Sequence, residues 1–179
     1  MLSTSHSGNT EETLKATEIA LKAEGTVVVI SAGGILSGLC EIYPNCFLLP
    51  SPGGQPPRTA FGHIFSRQLG LLRNIGVLPT PVEGSDEAML ERLQSASEGF
   101  DILKDPEGDV AQLALCMLER PIALLGPTEL HPALNRFKNQ LNENSARFAR
   151  VGVIPEMNHN ESVAWGGIGT EHDDSAIEH

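Results

Sequence analysis

Aromatic residues are scarce in this chain: one Trp, one Tyr and six Phe among 179 residues. That scarcity argues against a stacking platform for bases. Positive charge is short as well, with 12 Lys and Arg against 23 Asp and Glu, a net charge of −11. Such a balance opposes nucleic acid and anionic membrane as partners, and neither is expected. Cysteine is rare. Cys40, Cys46 and Cys116 follow no metal-ligand spacing, their number is odd, and Cys40 and Cys46 lie in or beside apolar segments. Buried free thiols in a reducing compartment are the simplest reading. No signal-peptide pattern and no apolar run of membrane-spanning length occurs, so a cytoplasmic protein is expected.

What is present is an ordinary globular composition, 40% hydrophobic and 20% charged, with length for one domain or two small ones. The densest chemistry lies at residues 3–14, Ser-Thr-Ser-His-Ser-Gly-Asn-Thr-Glu-Glu-Thr-Leu. Ser5, Ser7 and Thr10 offer hydroxyls, and Gly8 lets the backbone turn tightly. Asn9 with Glu12 three residues on reads as a helix N-cap with its capping-box partner. Unpaired N–H groups and a partial positive charge make a helix start an anion site, above all for phosphate. The bland alternative is a hydroxyl-rich turn that only caps a helix. Because the whole chain is acidic, a phosphate must be held by local donors, not by long-range attraction.

Residues 11–23 carry helical spacing, and residues 26–31 form a β-branched run, the mark of a strand buried on both faces. A short helix at 35–41 and a strand at 46–50 complete a strand–helix–strand rhythm. The loop Ser51-Pro-Gly-Gly-Gln-Pro-Pro-Arg58 follows a strand's carboxyl end, where open parallel sheets place their ligands. Arg58 is expected to open a helix that runs to about residue 75, with Phe61, Ile64, Phe65, Leu69 and Leu72 as its apolar face. A cation at that end opposes the dipole and suggests an anionic partner; a surface arginine pointing away is the plain alternative. Residues 76–86 read as a linker. Helices at 87–100 and 106–118, a strand at 121–126, a helix at about 130–140 and a strand at 151–155 repeat the rhythm.

Two later stretches bear chemistry. Asn142-Glu143-Asn144 ends a helix, where the negative end of the dipole disfavours a charged carboxylate and favours a general base. Its asparagines suit either a ligand or the carboxylate itself. His159 lies between two asparagines and beside Glu161, which suits an oriented imidazole. Taken alone, an exposed glutamate and a solvated loop histidine explain the same residues. His159 has no partner at metal-ligand spacing, so no metal is expected.

The stretch Ser5-His6-Ser7-Gly8-Asn9-Thr10-Glu11-Glu12-Thr13 resembles the sugar-phosphate-binding motif of SIS (sugar isomerase) domains. With the Pro52–Arg58 loop, Asn142-Glu143-Asn144 and Glu156-Met157-Asn158-His159-Asn160-Glu161 in one order, residues 2–165 resemble the bacterial and archaeal bifunctional phosphoglucose/phosphomannose isomerases. The resemblance implies an α/β chain of three-layer αβα type with parallel sheets and two SIS-like units, both incomplete. Residues 1–86 would be the first unit with its linker, 87–165 the second, and 166–179 a flexible acidic tail. It also implies an earlier strand–helix portion with a Gly-Gly-Ser loop and later helices with a catalytic lysine, so the chain reads as truncated at both ends.

For the site, the resemblance implies that Ser5, Ser7 and Thr10 hold the phosphate. Glu143 would carry a proton between C1 and C2, Arg58 would stabilise the enediolate, and His159 would open the sugar ring from across a homodimer. The implied reaction interconverts glucose 6-phosphate or mannose 6-phosphate with fructose 6-phosphate, without a cofactor. A module that binds sugar phosphate without turnover is the second reading. A nucleotide-binding domain fits less well, because no Gly-x-Gly-x-x-Gly follows a strand.

Overall fold

The computed structural model describes residues 1–118, 120–159 and 161. The chain divides into two compact units, Met1–Glu91 and Arg92–His179. It is a mixed helix and strand architecture with parallel sheets, as expected for an αβα SIS-type fold.

In the first unit, β1 (Leu2–Thr4), β2 (Val27–Ser31) and β3 (Cys46–Pro50) form a parallel sheet in the order β1-β2-β3. Ser3 pairs with Val29, and Val27 pairs with Cys46. The helices α1 (Glu11–Lys22) and α2 (Gly34–Ile42) are the two crossovers. Successive strand residues face opposite sides of a sheet. Ser3 Oγ meets Thr17 Oγ1 of α1 at 2.6 Å, while Thr4 Oγ1 accepts from Gln68 Nε2 at 3.2 Å. Gln68 belongs to α3 (Phe61–Asn74), so α1 and α3 cover opposite faces: helix, sheet, helix. Leu21, Val27, Val29, Leu36, Leu39 and Cys46 make the core on the α1–α2 side. Val27, Val29, Ile30 and Ser31 are all buried, as the β-branched run of a central strand requires.

One local expectation changes. Arg58 does not open α3; it sits in a separate 3-10 turn, Pro57–Thr59, and α3 starts after it. Pro57 holds Pro56 extended, at ψ 144°, and takes the first position of the turn, where its missing N–H is tolerated. Arg73 clamps Asp86 with bonds of 2.8 and 3.1 Å, at the start of α4 (Ser85–Gly99). The Phe61 and Phe65 rings stack at 5.5 Å, yet each remains about half exposed.

In the second unit, α5 (Asp109–Met117) precedes β4 (Ile122–Pro127). α6 (His131–Ser145) then returns the chain to β5 (Ala149–Ile154), which pairs in parallel with β4. Only Ile122, Ala149 and Met157 are buried hydrophobics among its described residues. A cavity of about 300 Å³ lies among Val110, Leu113, Met117, Ile122, Phe137 and Leu141. The acidic stretch 166–179 lies outside the described residues. No helix among the described residues is long and apolar enough to cross a membrane.

Candidate functional site

The loop after β1 is built by glycine geometry. Gly8 has φ +68°, and a Cβ there would come 1.8 Å from the Gly33 carbonyl oxygen. Gly34 has φ +72°, and its Cβ would come 2.3 Å from the Ser7 carbonyl oxygen. Only glycine allows both the backbone angle and the approach. The loops after β1 and β2 are thereby pressed together.

That turn redirects Asn9. Its Oδ1 accepts from the Ile35 N–H at 3.1 Å, in the first turn of α2. The expected Asn9 cap on its own helix is therefore incorrect, and Asn9 caps the neighbouring one. Thr10 is the cap residue of α1, and its own side chain does not bond to the first N–H groups of that helix. Those groups have no acceptor within the helix either. Beside them, Ser5 Oγ and Thr10 Oγ1 are 2.8 Å apart. Ser5 Oγ also accepts from the Gly8 N–H at 3.2 Å, and Ser7 Oγ from the Asn9 N–H at 3.3 Å. Ser5 is buried, whereas Ser7 and Thr10 are exposed. Hydroxyls beside a helix start whose N–H groups are uncapped suit a phosphate.

The loop after β3 reaches the same end of the sheet, because the three strands are parallel. The Ser51 N–H donates to the Ser31 carbonyl at 2.8 Å, and His6 Nε2 donates to the Gln55 carbonyl at 3.1 Å. Arg58 follows directly and is exposed. The structure thus brings the loops of Ser5, Ser7, Thr10 and Arg58 to the carboxyl end of the first sheet. The sequence pointed to the 51–58 loop as a whole, and to neither Ser51 nor Gln55 within it. The usable signal was a serine at a strand's carboxyl end, opening a loop bent by glycine and stiffened by proline.

Glu143 and His159 belong to the second unit. Glu143 is exposed in the last turn of α6. The flanking asparagines are engaged elsewhere: Asn142 Oδ1 accepts from the Ala149 N–H at 3.3 Å, and Asn144 Nδ2 donates to Gln140 Oε1. Neither orients the Glu143 carboxylate. His159 ends a 3-10 turn, Glu156–His159, just after β5. Met157 anchors that turn, with 9% exposure, and His159 itself is exposed. Glu161 does not serve the imidazole as expected; its carboxylate pairs with Arg150 of β5. Asn160 lies outside the described residues. Gly152 allows the turn to approach β5, since a Cβ there would come 2.8 Å from Leu125 Cδ2, 3.2 Å from Glu161 Oε2 and 3.5 Å from Met157 Sδ.

The parallel sheets with their crossover helices are consistent with an αβα SIS-type fold. Residues 107–177 match the family model described as the bacterial phospho-glucose isomerase C-terminal SIS domain. This match takes in most of the acidic stretch that sequence reading set apart as a tail. The chain is also related, over nine tenths of its length, to bifunctional phosphoglucose/phosphomannose isomerases. The one from Aquifex aeolicus is 33% identical over 161 residues, covering 90% of this chain and 46% of that relative. The one from Caldicellulosiruptor bescii is 30% identical over 167 residues, covering 91% and 48%. A D-glucosamine-6-phosphate 4-epimerase from Sulfolobus acidocaldarius is 29% identical over 167 residues, covering 90% and 49%. The chain spans about half the length of the curated relatives it matches.

Proposed function

We propose that this chain is a sugar-phosphate isomerase that seats a hexose 6-phosphate on Ser5, Ser7 and Thr10 at the start of α1. The observation that carries the reading is the Ser5–Thr10 hydroxyl pair beside a helix start that its cap residue's side chain leaves open. The relatives add support. Isomerases named for phosphoglucose and phosphomannose and an epimerase named for D-glucosamine 6-phosphate differ in chemistry but share a phosphorylated hexose. A seat for the phosphate is what such proteins have in common.

On this reading the reaction interconverts glucose 6-phosphate or mannose 6-phosphate with fructose 6-phosphate, in a homodimer. His159 passes a proton to the ring oxygen as the sugar opens. The Glu143 carboxylate removes the proton at C2 of the aldose and returns it at C1, through an enediolate. A carbon acid beside a carbonyl is weak, so the base must be placed and the developing oxyanion stabilised. Arg58 supplies the stabilising charge, and no metal or organic cofactor takes part.

The test is a coupled assay on fructose 6-phosphate. Turnover that falls about 10²–10⁴-fold in Glu143→Gln supports the isomerase. Binding of sugar phosphate with no turnover in either protein would leave the second reading, a sensor without catalysis. Absence of binding as well would refute both.

A further inference from the structure

Three buried side-chain polar atoms among the described residues have no hydrogen-bond partner: His6 Nδ1, Ser51 Oγ and Gln55 Nε2. All three belong to the loops at the carboxyl end of the first sheet, next to the Ser5–Thr10 pair. Leaving such atoms unpaired is costly, so native proteins seldom do it without a functional reason. Ser51 is 6% exposed. Its backbone N–H is held by the Ser31 carbonyl at 2.8 Å, so the residue is fixed while its hydroxyl stays unmatched.

The three atoms have complementary roles. The Gln55 carbonyl can only accept, so the Nε2 of His6 facing it at 3.1 Å carries the proton. The Nδ1 of the neutral ring is then an acceptor. Gln55 Nε2 is a donor, and Ser51 Oγ is both. An acceptor, a donor and a group of either kind match sugar hydroxyls, each of which donates one bond and accepts others. A phosphate alone, which chiefly accepts, would leave His6 Nδ1 without a partner.

We propose that His6, Ser51 and Gln55 form a hydroxyl-reading subsite beside the phosphate seat and select a polyol or sugar phosphate over other phosphates. The inference rests on the phosphate reading of Ser5, Ser7 and Thr10. The three atoms are shielded from solvent, so binding requires residues 52–57 to shift. That segment is exposed except at Gln55 and turns at Gly54, with φ +90°.

The test is calorimetry on the full chain with three probes: inorganic phosphate, hexyl phosphate and glucitol 6-phosphate. Glucitol 6-phosphate carries the hydroxyls and cannot isomerise. The wild type is expected to prefer it over hexyl phosphate by about tenfold, the worth of one or two hydrogen bonds. Ser51→Ala, Gln55→Leu and His6→Phe should each reduce that preference and keep the affinity for inorganic phosphate, which also reports that each variant is folded. Equal affinity for the two esters in the wild type overturns the subsite and leaves the phosphate seat standing. A preference that survives in all three variants overturns it too. Failure of every probe to bind the wild type overturns the phosphate seat and the subsite together.

Discussion

Glu143 and His159 lie at opposite ends of one strand. Glu143 closes α6, which delivers the chain to the amino end of β5, and His159 lies just past its carboxyl end. Six residues of strand separate those ends by roughly 20 Å. One hexose does not bridge that distance within the unit. If both residues act on one sugar, they come from different copies of the chain. Glu143→Gln and His159→Ala are each expected to be inactive as isolated proteins. Mixed after partial unfolding and refolding together, they should regain part of the activity, because some dimers then hold one intact site. No recovery in a fructose 6-phosphate assay would mean that the two residues do not serve one site across a dimer.

The link from Asn9 to α2 makes a stability prediction that the sequence alone would have assigned to α1. Asn9→Ala removes the acceptor for the Ile35 N–H and should cost about 1 kcal/mol, the usual loss for a helix cap. Asn9→Asp keeps the acceptor and should retain most of that stability. Glu12→Gln should change little, because no capping box forms. Urea melts of the three variants check the ranking.

Cys40 and Cys46 face each other with their sulfurs 3.1 Å apart. Burial first, then the hydrogen bond and charge of Cys46, push the Cys40 thiol from its ordinary 9.0 up to about 12. A raised pKa means that the folded chain holds this proton more tightly than the unfolded chain does. The resulting stabilisation is full below about pH 9 and is lost as pH rises toward 12. Melting temperatures should therefore fall across that window, and Cys40→Ala should flatten the fall. At neutral pH, iodoacetamide should label the exposed Cys116 first, because thiolate character and access govern the rate. Mass spectrometry that finds Cys40 labelled as fast as Cys116 would contradict the burial argument.

The two units should differ in local stability. Among the described residues, Leu21, Val27, Val29, Ile30, Leu36 and Leu39 are buried in the first, against Ile122, Ala149 and Met157 in the second. The cavity beside α5 and α6 removes further packing from the second. Few buried apolar contacts mean low protection. In hydrogen exchange, the amides of β2 should be the slowest in the chain, and those of β4 and β5 should exchange well before them. Filling the cavity with Ala114→Leu should slow exchange in β4.

Elements were readable where their signal was local. The run Val27-Val28-Val29-Ile30, closed by Gly25 on one side and by Gly33 and Gly34 on the other, marks a buried strand without any tertiary knowledge. Cys46–Pro50 was equally legible. The start of α3 was not, because the proline pair at 56 and 57 shapes a separate turn that helical periodicity does not report. The partners of Asn9, Asn142 and Glu161 were also out of reach. Each side chain has a plausible local role, and each was recruited by backbone or charge brought in from elsewhere.

From the sequence by itself came the strand–helix alternation, the parallel sheets and the hydroxyl cluster at a helix start, since spacing, breakers and residue chemistry act over a few neighbours. Tertiary structure decided the rest. It turned Asn9 toward Ile35, 26 residues away, drew Glu161 from the imidazole to Arg150, and set Glu143 and His159 at opposite ends of β5. Hydrogen bonds and ion pairs form between groups that are near in space, and only the folded chain determines which groups those are.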